Sequence, residues 1–178
     1  MTLITTIGCV PPYDMPHENF QPQRISKTAS FIVNANIAQV FPLYGAFEER
    51  KWAPGWEPNL IYPKKEIIAE GTTFSVKPHG NDHGGECASL WIVSKYEPQD
   101  YVIQYLVSTQ NRFWTITLTS ESIENHTKTN TTVTYTFTGL NETGNELNQI
   151  DLAKMYENEL QDWGGLINSY FERKTAQS

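Results

Sequence analysis

Apolar and polar residues alternate along most of the middle of the chain. This period of two predicts β-strands at residues 27–35, 72–77, 89–96, 101–109, 112–123 and 128–140, with a weaker strand at 62–70. In residues 128–140, aromatic and aliphatic side chains fall on one face and threonines on the other. That division is typical of an antiparallel sheet that is covered on one side only.

The C-terminal part of the chain changes to a helical period. Residues 146–174 contain no proline and predict one helix of roughly 40 Å, at about 1.5 Å per residue. Asn145 is its predicted N-cap, and Gly144 is predicted to end the preceding strand. Gly164 borders the apolar face, where it either lets the sheet or a ligand approach or is a tolerated irregularity. The apolar face contains Leu152, Ala153, Tyr156, Leu160, Trp163, Leu166, Ile167, Tyr170 and Phe171.

Two short helical pieces are predicted between the first strand and the rest. Asn36 is expected to cap the first piece, which Pro42 interrupts, and residues 45–51 form the second. The resulting fold class is α+β: a curled antiparallel sheet that grips a long C-terminal helix. Such a sheet rarely fills its own interior, so we expect an elongated apolar cavity.

Composition and charge limit the classes of partner that the protein is expected to bind. The chain has 178 residues and a net charge of −7, and its 13 basic residues are scattered, which argues against nucleic acid. No apolar run is long enough for a transmembrane helix, and the N-terminus lacks a basic signal region, which predicts a cytoplasmic protein. Residues 1–24 hold four prolines and are expected to be an arm before one domain at 25–178. Whether the protein is a monomer or a dimer stays open.

The most distinctive segment of the sequence is FPLYGAFEERKWAPGWEPNLIYP at residues 41–63. Together with GTTF at 71–74, LWIVSKYEP at 90–98 and the threonine-rich last strand, it resembles the START-like (SRPBCC) superfamily. This helix-grip group includes polyketide cyclase/dehydratase-like and Bet v 1-like proteins. The resemblance covers about residues 27–173. It implies a hydrophobic cavity that binds a small molecule or lipid, and it implies no fixed catalytic residue, metal or cofactor.

Glu159 is the first catalytic candidate, because the helical period places this carboxylate inside the apolar arc. A desolvated carboxylate there would titrate near neutral pH and could move a proton. Alternatively, Glu159 lies at the flank or pairs with Arg112, which shares strand parity with Trp114. His79 is the second candidate, since we expect one of the histidines of its loop to face the cavity mouth. Its loop is rich in metal-ligand residue types, but their spacing matches no metal site, so no metal is predicted.

Aromatic side chains supply most of the predicted ligand contacts, with core packing as the alternative for each. Trp56 is either a gate at the cavity mouth or a lock on the Pro54-Gly55 corner, and Glu49, Arg50 and Glu57 are interpreted as local ion pairs. The predicted ligand-binding residues are Trp56, Trp91, Tyr105, Arg112, Trp114, Tyr135, Tyr156 and Trp163.

Three functions follow from these observations. The first is the binding of a small apolar molecule or lipid between the sheet and the C-terminal helix. The second is a polyketide cyclase/dehydratase-like enzyme that uses acid–base residues in the cavity. The third is a protein-interaction module with a collapsed cavity. The sequence leaves open whether there is any catalysis.

Overall fold

The computed structural model describes residues 18–77, 88–154 and 160–177, and most of the predicted strands form within them. The strands are β1 (Arg24–Val33), β2 (Asn59–Tyr62), β3 (Thr73–Val76), β4 (Ser89–Glu97), β5 (Val102–Ser108), β6 (Arg112–Ile123) and β7 (Lys128–Gly139). The helices are α1 (Ile37–Val40), two 3₁₀ helices (Phe41–Tyr44 and Glu49–Lys51), α2 (Glu142–Lys154) and α3 (Leu160–Ala176).

All seven strands belong to one antiparallel sheet in the order β1-β7-β6-β5-β4-β3-β2. The sheet curls, with helix α3 packed against edge strand β1 and helix α2 packed against β7. The α+β helix-grip class predicted from the sequence is therefore confirmed.

Burial alternates along the strands as the sequence pattern predicts. Along β6 and β7 every second side chain is buried on the concave side, including Trp114, Tyr135 and Phe137. The convex side carries hydroxyl pairs that join β1 to β7: Ser26 with Thr136 at 2.9 Å, Thr28 with Thr134 at 2.8 Å, and Ser30 with Thr132 at 2.9 Å. One face is therefore apolar and the other is polar.

The chain turns through its short helices largely as expected. Asn36 caps α1, because its Oδ1 accepts a hydrogen bond from the Ala38 amide at 2.8 Å. Pro42 lies in the first turn of the 3₁₀ helix that follows, where its missing N–H costs no helical bond. Within residues 45–51, the regular part is only the 3₁₀ helix Glu49–Lys51.

The predicted strand at residues 62–70 is wrong. The strand in this region is β2, which ends at Tyr62, and the residues after it form bends and turns. Thr72 stabilises that loop, since its hydroxyl donates to the Ile67 carbonyl at 2.9 Å and accepts from the Ala69 amide at 3.2 Å. These local bonds replace the strand ladder that the apolar residues suggested.

The predicted start of the C-terminal helix is also wrong. Helix α2 begins at Glu142, and Asn141 is the residue whose Oδ1 accepts from the Gly144 amide, at 2.9 Å. Asn145 lies inside the helix, and its Oδ1 accepts from the Gln23 amide at 3.0 Å. The described helical residues end at Ala176, and the continuity of the helix through 155–159 lies outside the described part.

Candidate functional site

Aromatic side chains line the concave face of the sheet. Tyr105, Trp114 and Tyr135 are almost fully buried, whereas Trp56 and Trp91 are partly buried. Their rings form two series within one core cluster. In the first, Trp56–Trp91 centroids lie 5.3 Å apart and Trp91–Tyr105 5.8 Å; in the second, Trp114–Phe137 centroids lie 5.4 Å apart and Tyr135–Phe137 5.9 Å. The predicted contact residues that the structure describes on the sheet therefore share one apolar interior.

The tryptophan corner between the short helices and β2 is fixed by hydrogen bonds. The indole N–H of Trp52 donates to the Leu43 carbonyl at 2.8 Å, and that of Trp56 donates to the Ala46 carbonyl at 2.6 Å. Trp52 is buried and its ring meets that of Trp163 on α3, with centroids 5.8 Å apart. Trp56 both holds the corner and presents its ring to Trp91.

An ion pair lies buried at one end of this interior. The Arg112 side chain is inaccessible to solvent, and its Nη2 donates to Asp151 Oδ2 on α2 at 2.5 Å. The guanidinium also lies 5.2 Å from the Trp114 ring centroid and 5.7 Å from that of Phe137. Asp151 therefore neutralises the Arg112 charge within an aromatic surrounding.

Asn148 is a polar residue of this interior that the sequence reasoning missed. It lies three residues before Asp151 on α2, so both side chains fall on the same helix face. Asn148 is completely buried, and neither Oδ1 nor Nδ2 has a hydrogen-bond partner among the described residues. The sequence does contain a signal for its burial. Asn148 precedes the buried Leu152 by one helical turn, so the two side chains lie on the same helix face.

Glu49 is the second missed residue, and its interpretation as part of a local ion pair is wrong. Arg50 pairs with Glu66 at 2.8 Å, and Lys51 pairs with Glu48. Glu49 is partly buried, and within the described ranges no cation pairs with it. Burial raises the pKa of its carboxyl to about 8.

Three of the predicted site residues lie outside the described ranges. These are Glu159, Tyr156 and His79, so their roles and any catalysis by Glu159 or His79 stay predictions. The described residues contain no group of three or more His, Cys, Asp or Glu side chains that could hold a metal ion. No helix in the same ranges is long and apolar enough to span a membrane.

Two cavities of the described chain have linings that do not include these concave-face aromatic residues. One, of about 270 Å³, lies beside the short helices and is lined by Phe41, Pro42, Gly45, Phe47, Glu48, Glu66, Ile68 and Tyr96. The other, of about 440 Å³, is an open groove between the end of β1 and α3, lined by Asn34, Asn168, Phe171, Glu172, Thr175 and Ala176. In this groove the Asn34 amide donates to Asn168 Oδ1 at 2.7 Å.

Comparison with known proteins finds similarity in structure only. No protein-family model matches the chain, and no curated protein sequence matches it. Norcoclaurine synthase from Thalictrum flavum superposes with a TM-score of 0.62 at 9% identity, over 83% of this chain and 86% of that one. The Zhui aromatase/cyclase from Streptomyces sp. R1128 gives 0.61 at 13% identity, over 89% and 99%. Ara h 8.0201 gives 0.60 at 14% identity, over 83% and 99%. The chain therefore has the helix-grip fold of the START-like and Bet v 1-like proteins.

Proposed function

We propose that the protein binds a small, largely apolar molecule between the concave face of the sheet and the C-terminal helical segments. The observation that carries this proposal is Asn148, a fully buried amide whose two polar atoms have no partner in the described chain. Leaving a buried polar group unsatisfied costs about 1–3 kcal/mol. A ligand that forms hydrogen bonds with this amide would remove that cost. No group of the described protein core removes it.

The charges around Asn148 indicate what the ligand presents to it. Asp151 already balances the buried charge of Arg112, so this end of the interior has no net charge to offer. The Asn148 amide provides one donor group and one acceptor oxygen. A neutral group that both donates and accepts, such as a hydroxyl, complements it better than an anion does.

The rest of the interior fits an aromatic or otherwise flat apolar body. Trp56, Trp91 and Trp163 are only partly buried by the described protein atoms, so their rings retain surface for a ligand. Aromatic faces and edges attract further rings by offset and edge-to-face contacts. The named similar structures agree with this class: one holds dopamine and hydroxybenzaldehyde in norcoclaurine synthase, and another is an aromatase/cyclase.

Tryptophan fluorescence offers a direct test with naphthol as the probe, because all five tryptophans belong to or pack against the apolar core. We expect saturable quenching in the wild-type protein, and about a fivefold to 150-fold weaker affinity in Asn148→Leu, as loss of hydrogen bonding worth about 1–3 kcal/mol implies. Gln149→Leu is the matched control, since Gln149 is exposed one residue further along the same helix.

The proposal fails if naphthol and longer-chain alcohols show no saturable binding to the wild-type protein. It also fails if Asn148→Leu and Gln149→Leu bind the probe as tightly as the wild-type does. Weakening in both variants to the same extent would mean that α2 was disturbed generally, and would remove the role assigned to Asn148.

A further inference from the structure

Helix α2 is attached along one side to the start of β6. Asp151 accepts a hydrogen bond from the buried Arg112 guanidinium at 2.5 Å. Just before Arg112 in the chain, Asn111 Oδ1 accepts from Asn141 Nδ2 at 2.9 Å, and the Asn111 carbonyl oxygen lies against Gly144. Residues 111 and 112 therefore hold both the first turn of α2 and its inward carboxylate.

The other side of α2 is attached to the segment that precedes β1. Asn145 Oδ1 accepts from the Gln23 amide, and its Nδ2 donates to the Gln21 carbonyl, both at 3.0 Å. One turn later along the helix, Gln149 Nε2 donates to Gln23 Oε1 at 3.2 Å. We call residues 21–23 the strap, because they connect α2 to the first strand.

The strand order places these attachments on opposite sides of α2. The helix packs on β7, which lies between β6 and β1. Its attachment to residues 111 and 112 is on the β6 side, and its attachment to the strap is on the β1 side. Asn145, Asn148 and Asp151 follow each other at intervals of three residues, so each is rotated by about 60° from the last. The Asn148 amide therefore lies between the two attachments.

The two attachments differ in strength. Asp151 and Arg112 are oppositely charged and buried, and separating such a pair leaves an uncompensated buried charge. The strap is held by neutral amides, of which Gln23 and Gln149 are exposed and Asn145 is half-buried. Neutral hydrogen bonds near solvent each contribute little net stability. The strap side of α2 is therefore expected to separate from the sheet before the β6 side does.

Access to Asn148 requires such a separation. Its side chain is completely buried in the described structure, so a ligand in solution has no direct route to it. We propose that the strap controls this route: α2 turns about residues 111 and 112, its strap side opens, and the ligand enters and leaves there. The inference rests on the proposed function, since it concerns how a ligand reaches the same amide.

A second amide offers a matched comparison at the other end of β1. On α3, Asn168 Oδ1 accepts from the Asn34 amide at 2.7 Å, and its Nδ2 donates to the Ile32 carbonyl at 3.2 Å. Like Asn145, this residue bonds the amide of one residue and the carbonyl of the residue two positions before it. Asn168→Ala therefore removes the same kind of bonds from the β1 segment without loosening α2.

Stopped-flow tryptophan fluorescence with naphthol measures how fast the probe enters and leaves. Asn145→Ala removes both bonds from the helix side, and Gln23→Pro removes the amide donor from the strap side. We expect both variants to raise the association and dissociation rates, and Asn145→Ala to raise them at least about fivefold, as the loss of two ordinary hydrogen bonds implies. The two rates should rise by the same factor, so that the Kd stays unchanged. Asn168→Ala should exchange the probe at the wild-type rates.

Three results would overturn the inference and leave ligand binding in place. If naphthol binds and neither Asn145→Ala nor Gln23→Pro speeds its exchange, the strap does not control access. If Asn168→Ala speeds exchange as much as Asn145→Ala does, the route does not depend on α2. A rise in the dissociation rate alone would mean that the strap stabilises the complex instead of closing the route.

Absence of any saturable naphthol binding to the wild-type protein would instead overturn the proposed function, and the inference with it. The two variants alter opposite partners of one contact, so either of them decides the question if the other folds poorly.

Discussion

At the scale of single residues, glycines separate close packing from open space. A Cβ on Gly144 would lie 1.9 Å from the Asn111 carbonyl oxygen, so this position requires glycine. A Cβ on Gly164 would lie 3.2 Å from Phe31 Cβ, so the sheet approaches here, which is one of the alternatives considered for this glycine. Gly165 has nothing within 4 Å of the same point. Close packing therefore explains the glycines at 144 and 164. No neighbouring atom of the described residues requires a glycine at residue 165.

Alanine substitutions should separate these roles. Gly165→Ala should raise the free energy of unfolding by up to about 1 kcal/mol, because alanine has the higher helix propensity. Gly144→Ala should lower it by about 1–3 kcal/mol or more, because the backbone must move to relieve the clash. Urea unfolding followed by circular dichroism measures both, and a loss of stability in Gly165→Ala would contradict the open surroundings of that residue.

The sequence predicted some interior residues and missed others for identifiable reasons. Arg112 shares strand parity with Trp114, so its inward direction could be inferred from the alternating pattern alone. The partial burial of Glu49 could not be inferred, because the cations beside it suggested ion pairs, and the true partner of Arg50 lies 16 residues further on. Asn148 was missed because a helix beginning at residue 146 would place it in the first turn.

At the scale of elements, the junction between β7 and α2 shows where local signals compete. Asn141 and Asn145 are both suitable caps, and Gly144 suggested that regular structure ends just before Asn145. The contact that decides between them is not local: Asn141 Nδ2 donates to Asn111 Oδ1 at 2.9 Å, and Gly144 packs on the Asn111 carbonyl. The helical spacing of apolar residues could therefore predict the helix but not its first residue.

Substitution of Asn141 tests the assigned cap. Asn141→Ala should lower the free energy of unfolding by about 0.5–2 kcal/mol, since the Gly144 amide loses its acceptor. Asn141→Ser should recover much of that loss, because serine is an equally good N-cap acceptor. Chemical denaturation gives the comparison, and equal stability of the alanine variant and the wild-type protein would mean that Asn141 does not cap α2.

At the scale of the whole molecule, the sequence predicted the fold because its two periodicities are long and uninterrupted. Strands with one apolar face must be covered, and the helical period after them supplies the cover. The chemistry of the interior is less predictable, since Asn148, Asp151 and Arg112 meet only after α2 docks on β6 and β7. The fold is thus determined by pattern, and the site is determined by tertiary contacts.

We infer that the interior keeps the Asn148 amide for a ligand rather than for its own stability. Thermal unfolding of Asn148→Leu, after unfolding and refolding have removed any bound molecule, tests it most directly. We expect a melting temperature several degrees above wild type, because an unsatisfied amide costing about 1–3 kcal/mol is removed, at about 2–4 °C per kcal/mol for a chain of this size. Gln149→Leu should melt close to wild type. A lower melting temperature for Asn148→Leu would show that the amide stabilises the fold and is not kept for a ligand.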